Sequence, residues 1–210
     1  MIAAGGEAFA IQADIAEPDD VASLVHGSVS HFGRIDTLVA NAAASAFKPL
    51  ADIRRDHVRK TMAITVEGFL DLVAAATPHM PPGGRVVAIS GWDTFRVLPG
   101  HGLLGAAKAA METLVKYLAI ELGQHGITTV GLCPGPIVET DSFRYYVGDD
   151  FDLFEKTWRA WTPSGEFTSA AAIAEAMAFL CSSRSAAING QTIVIDGGLS
   201  LATMPISRVS

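Results

Sequence analysis

The chain has 210 residues, half of them apolar and 18% charged, with a formal net charge of −7. That length suits one domain around a single core, and the apolar share excludes a disordered or merely solvating role. The acidic balance, with no local run of Lys and Arg to offset it, argues against nucleic acid and anionic membranes as partners.

Nowhere do 18 uncharged apolar residues follow one another, and the opening MIAAGGEAFAIQ has no basic segment ahead of a long apolar run. A soluble, cytoplasmic protein is expected. Cys133 and Cys181 stand far apart, without CxxC spacing or a nearby His, and read as free buried thiols with no metal.

In chain order, AFAIQAD at 8–14 reads as a first β-rich run. A helix follows, with Pro18, Asp19 and Asp20 in its first turn, reaching to about Phe32 where Gly33 stops it. DTLVA at 36–40 is a second strand. From about Asp56 a second helix places Val58, Met62, Thr65 or Val66, Phe69, Leu72 and Val73 on one stripe, and Pro78 marks its end. RVVAIS at 85–90 is a third strand.

The helix over 103–122 carries the clearest stripe, Ala107, Met111, Leu114, Leu118 and Leu122, closed by Gly123 and Gly126, and Tyr117 is expected to be buried in it. The strands ITTVGLC at 127–133 and TIVIDG at 192–197 complete the series. These runs are nearly continuous in apolar residues, as strands covered on both faces should be. The expected fold is α/β, a doubly wound parallel sheet of the Rossmann kind, over residues 1–210.

Residues 141–167 have Gly and Pro breaks, many aromatics and no clean period. Such a stretch beyond a strand's carboxyl end is either a lid over a ligand crevice or a surface excursion with a short amphipathic helix. Trp92, His101, Tyr145, Tyr146, Trp158 and Trp161 are candidates for the wall of such a crevice.

Asp14, just after a strand, sits where an adenine amine can be hydrogen-bonded, or where it caps the next helix. The small side chains of Asn41-Ala42-Ala43-Ala44 let backbone approach a flat ligand. Pro134-Gly135 offers backbone groups to a carboxamide, or is a plain turn.

Taken together, Asp14-Ile15, GRIDTLVANAAAS from Gly33 to Ser45, GAAKAA from Gly105 to Ala110, PGPIVET from Pro134 to Thr140 and GQTIVIDGG from Gly190 to Gly198 resemble the short-chain dehydrogenase/reductase family along the whole chain. Within it NAAAS, YLAIELGQHGI, TPSGEF and GQTIVIDGGLSL look like enoyl-acyl-carrier-protein reductase III. The resemblance implies an NAD(P)-dependent oxidoreductase acting on a carbonyl or an enoyl thioester. It assigns cofactor contacts to Asp14, Ile15, Asn41, Ala42, Ala43, Lys108, Pro134, Gly135, Ile137 and Thr140. It also implies a homodimer or homotetramer built on the helices at 56–77 and 103–122.

The family's reaction uses an Asn, a Ser, a Tyr and a Lys, the phenol donating a proton while NAD(P)H delivers hydride. Only Lys108 is plainly present. Leu104 stands four residues before it, where most members have Tyr, and His101 seven before it, where the enoyl reductase III pattern has Tyr. Counting from RVVAIS puts the serine at Gly91, with Ser90 one residue early and facing the other way if the strand continues, and the helix Asn at Thr65.

Two readings stay open. Either His101 takes over the proton donation, or the chain is a catalytically inactive homologue with a ligand-binding or assembly role. Weak or no turnover is the expectation for the chain as it stands. The family's first βαβ unit, roughly 30 residues or more with its glycine-rich turn, also has no counterpart here, which reads as a fragment or as a natural short form with an exposed strand at 8–13.

Overall fold

The computed structural model describes residues 5–203 and 205. At its centre lie four parallel strands, β1 (Thr37–Ala40), β2 (Arg85–Ile89), β3 (Thr128–Pro134) and β4 (Thr192–Ile195), paired in the order β1-β2-β3-β4. Thr37 pairs with Arg85, Arg85 with Thr128 and Gly131 with Thr192, so all four carboxyl ends open on the same edge. Parallel neighbours need crossovers, and helices supply them.

The alternation along β2 sorts its side chains onto two faces. On one, Val86 and Ala88 pack with Phe69, Val73, Met111, Val115 and Leu118 from the helices α3 (Gly68–Ala76) and α4 (Gly102–Gly123). On the other, Val87 and Ile89 meet Val130, Leu132, Ile173 and Leu180, the last two from α7 (Ala170–Leu180). Helices on both faces make the sheet doubly wound, as the sequence pattern implies.

Local chemistry sets the helix ends. Pro18 opens α1 (Pro18–Phe32) with Asp19 and Asp20 beside it, and Gly33 closes it at φ +84, its N–H donating to the Val29 carbonyl. A left-handed closing residue is a position that glycine fills without Cβ strain.

Three expectations are corrected. Residues 8–14 form no strand; the segment runs extended beside α1, with Phe9 stacked on His31 at 4.5 Å and Ile11 against Gly27. A strand exists only as half of a ladder, and no described strand lies beside this one.

The helix from 56 to 77 is not one regular cylinder. It is α2 (Arg55–Met62), a π turn (Ala63–Glu67) and α3, and it buries Thr61 and Thr65 instead of Val58, which is 39% exposed.

Tyr117 is 65% exposed on the outer side of α4. Near 100° per residue, it falls off the stripe that holds Leu114 and Leu118.

Candidate active site

A cleft of about 240 Å³ opens at the carboxyl ends of β2 and β3. Its floor and walls come from Ser90, Asp93, His101, Leu104, Lys108 and the turn Pro134–Thr140, with Phe47, Trp92, Phe143, Tyr146 and Trp158 closing it over. A larger hollow of about 910 Å³ is a groove along the open edge of β1, floored by backbone and apolar side chains from Leu24 to Leu72. Its Arg34–Asp36 ion pair is exposed, so the chemistry is concentrated in the smaller cleft.

Residues 141–167 contribute Ser142, Phe143, Tyr146 and Trp158 to its lining. They form α5 (Asp141–Val147) and α6 (Phe151–Trp161), two helices where the sequence suggests at most one. Thr140 starts α5 by accepting the Phe143 N–H at 3.3 Å, while its own hydroxyl donates to the Ile137 carbonyl at 2.8 Å. Phe143, Tyr146 and Trp158 reach the cleft. Tyr145 faces solvent at 79% exposure, and Trp161 lines a neighbouring groove with Phe95, Arg96 and Leu199.

Lys108 is buried on α4 and its ammonium donates to the Ile89 carbonyl at the end of β2. Burial drags its pKa down to about 8, with Asp93 and Cys133 pulling the other way.

His101 sits at the start of α4, wedged edge-on against Tyr146 (4.2 Å between centroids) and tilted against Phe47 (4.6 Å). Its Nδ1 lies 3.2 Å from the Asp93 carboxylate, and its Nε2 is buried with no hydrogen-bond partner among the described residues. The Gly-Pro loop that holds it suggests a solvated ring, but the ring is largely enclosed.

The other sequence candidates divide between places. Pro134, Gly135, Ile137 and Thr140 line the cleft with Lys108 and His101. Asn41, Ala42 and Ala43 follow β1 directly and stay exposed, off the lining of this cleft. Asp14 is exposed and spends one carboxylate oxygen on the Ala16 N–H at 2.9 Å, closing a turn before α1. The helix cap itself is Glu17. Ile15 packs against Gly68, which fixes this corner onto α3.

The strand does not continue through Ser90. β2 stops at Ile89, so Ser90 escapes the strand's alternation, lines the cleft and donates its hydroxyl to Glu112. Thr65, in the π turn, is buried, and its hydroxyl has no partner among the described residues.

Sequence reasoning missed Asp93. Its signal was present in Gly91-Trp92-Asp93, since Gly91 leaves room for a carboxylate: a Cβ there would lie 2.5 Å from Asp93 Oδ1.

A family model described as enoyl-(acyl carrier protein) reductase matches residues 1–200. A 1-cyclohexenylcarbonyl-CoA reductase from Streptomyces collinus is 34% identical over 202 residues, covering 96% of this chain and 72% of the relative. The chain belongs to the short-chain dehydrogenase/reductase family.

Solved members superpose closely. A short chain dehydrogenase from Burkholderia cenocepacia J2315 in complex with NADP gives a TM-score of 0.85 at 32% identity, over 95% of this chain and 79% of that one. An enoyl-[acyl-carrier-protein] reductase (NADH) from Aquifex aeolicus VF5 gives 0.86 at 25%, over 97% and 80%. Leu104 and His101 stand four and seven residues before Lys108, and His101 and Lys108 line the same cleft. Leu104 also lines the cleft.

Proposed function

We propose that this short-chain dehydrogenase/reductase is an NAD(P)-dependent oxidoreductase for a small-molecule carbonyl or an acyl (enoyl) thioester, with His101 as proton donor and Lys108 beneath the cofactor ribose. One observation carries the reading. Lys108 and His101 share a single aromatic-covered cleft with the Pro134–Thr140 turn, at the edge of the sheet where α/β folds bind ligands.

The described residues fit the nicotinamide end of such a cofactor. The Pro134–Thr140 turn borders the cleft beside Lys108, and the buried, unpartnered Nε2 of His101 belongs to the same lining. Asp14, Ile15, Asn41, Ala42 and Ala43 would serve the adenosine side. When bound, the reduced nicotinamide supplies the hydride for the carbonyl carbon or the enoyl β-carbon. His101 would furnish the matching proton from Nε2 to the substrate oxygen, which gives the alcohol from a carbonyl or, from an enoyl thioester, an enol that tautomerises by gaining a solvent proton at the α-carbon as the oxygen releases its own, and the ring would be reprotonated from solvent. Lys108 would hold a ribose hydroxyl with the ammonium hydrogens that Ile89 leaves free. Phe143, Tyr146 and Trp158 would exclude water from the reacting carbon.

We read residues 1–210 as one domain of a cytoplasmic homodimer or homotetramer. The exposed apolar side chains Val58, Leu70, Tyr117 and Ile120 on α2, α3 and α4 support that assembly.

The test is titration of the full chain with NADH and NADPH, following quenching of tryptophan emission, then turnover of carbonyl and enoyl substrates with His101→Phe alongside. Saturable quenching and a loss of roughly a hundredfold in kcat for the variant are expected. Unchanged turnover in His101→Phe removes the donor role. Saturable quenching with no turnover would favour the second reading, an inactive homologue with a ligand-binding or assembly role, to which Leu104 in the cleft wall lends support.

A further inference from the structure

We propose that Asp93 is the positioning residue of His101, fixing the proton on Nδ1 and aiming Nε2 into the cleft; this rests on the reading of His101 as proton donor.

The pair is 3.2 Å apart, and both side chains are largely sequestered, at 13% exposure for His101 and 5% for Asp93. A carboxylate only accepts, so Nδ1 must carry the hydrogen. In the neutral ring Nε2 is then left as a bare acceptor, and in the charged ring it becomes the only N–H not already held. That nitrogen is buried without a partner among the described residues, as is the other oxygen of the Asp93 carboxylate, Oδ1. Of the other polar side chains on the cleft lining, the Tyr146 hydroxyl donates to the Pro99 carbonyl, the Lys108 ammonium to Ile89, the Ser90 hydroxyl to Glu112 and the Thr140 hydroxyl to Ile137, and the partner recorded for Nδ1 is Asp93.

The turn that carries Asp93 is pinned on three sides. Ser90 and Thr94 both donate to one oxygen of Glu112 on α4, the second at 3.1 Å, and the Trp92 indole N–H donates to Asp196 at 3.0 Å. Two glycines make space for the aspartate inside that frame. A Cβ on Gly91 would stand 2.5 Å from its Oδ1, and one on Gly105 would stand 2.5 Å from its carbonyl oxygen. A turn held this tightly loses little freedom when its carboxylate orients a neighbour, which is the condition for preorganisation.

The first readout is the tautomer of His101 in the full chain, from the nitrogen chemical shifts of its ring by two-dimensional NMR above the titration range. The expected result is a neutral ring protonated at Nδ1 in the wild type and predominantly at Nε2 in Asp93→Ala. A wild-type ring protonated at Nε2 overturns the proposal, and needs no variant to fold. A ring that keeps Nδ1–H in Asp93→Ala overturns it as well.

The second readout is kinetic. Asp93→Asn should lower kcat about tenfold or more with KM little changed, and Asp93→Ala should fall further. If His101→Phe turns over normally while the tautomer still follows Asp93, the donor role fails and the positioning stands. If His101→Phe is inactive and Asp93→Ala matches wild type in kcat, the positioning fails alone.

Discussion

Trp92 and Asp196, 104 positions apart in the chain, meet through an indole N–H donated to a carboxylate at 3.0 Å. The same carboxylate accepts the backbone N–H groups of Gly198 and Ser200, each at 2.9 Å. It thus ties the segment after β4 to the turn that follows β2. Burial pushes its pKa upward, but the hydrogen bonds from Ser200, Gly198 and Trp92 outweigh burial and hold it below the usual carboxylate range.

Replacing Asp196 by Ala strands the buried indole N–H and two backbone donors. The expected loss is roughly 2–3 kcal/mol, read from urea unfolding followed by tryptophan emission. The sign with pH is that of a depressed acid. The stabilisation is present above the ordinary aspartate value and lost as pH falls through the lowered one. An Asp196→Ala variant as stable as wild type at pH 7 would show that the three bonds carry no net energy.

Lys108 gives a slope of the same sign, in the alkaline range. Its pKa is drawn down to about 8 in the fold, so between about pH 8 and 10.5 the unfolded chain binds more protons than the folded one. Stability should therefore rise across that window, by up to roughly 3 kcal/mol. In Lys108→Met this increment should vanish. Thermal unfolding of the pair at pH 7.5 and pH 9.5 checks it, and parallel curves would contradict it.

Gly105→Ala puts a methyl 2.5 Å from the Asp93 carbonyl oxygen. Backbone cannot swing aside as a side chain does, so α4 must retreat from the turn, at a cost of about 1–3 kcal/mol. The expected signature is a lower melting temperature together with a changed His101 ring environment. Gly123→Ala is the matched control. A Cβ there meets nothing nearer than the Asn189 amide nitrogen at 3.6 Å, and this variant should melt near wild type.

Cys133 is fully buried in β3, and burial, then the nearby Glu112, Asp93 and Asp196 carboxylates, raise its thiol to about 12. Only thiolate reacts, so Cys133 should stay unmodified by iodoacetamide at pH 8 in the native chain and react on denaturation. Peptide mass mapping reads both states. Rapid native labelling of Cys133 would mean that β3 opens.

What the sequence made legible is what neighbouring residues decide. Pro18, the two aspartates beside it and Gly33 bound α1 almost to the residue, and the apolar runs found β1 to β4, because caps and covered strands are written within a few positions. The misread parts depend on distant partners. Residues 8–14 have a strand's composition and no ladder to join. The stripe that buries Leu118 already places Tyr117 outside it, so that error lay in the reading.

The cleft was half visible. Lys108, His101 and the Pro134–Thr140 turn were found from spacing and resemblance, whereas Asp93 lies eight residues from His101, with a turn and a loop between them that no helical or strand period relates.

The π turn at Ala63–Glu67 works as a phase adapter. Thr61, Thr65 and Phe69 recur every four residues and all are buried, although a uniform α-helix would rotate such a series steadily around its axis. One wide turn absorbs the surplus angle and lets the two halves address the same neighbour. Removing a single residue from 63–67 would let the segment rewind as plain α-helix with its two halves still facing the same way, because the wide turn spends one extra residue on about the same rotation.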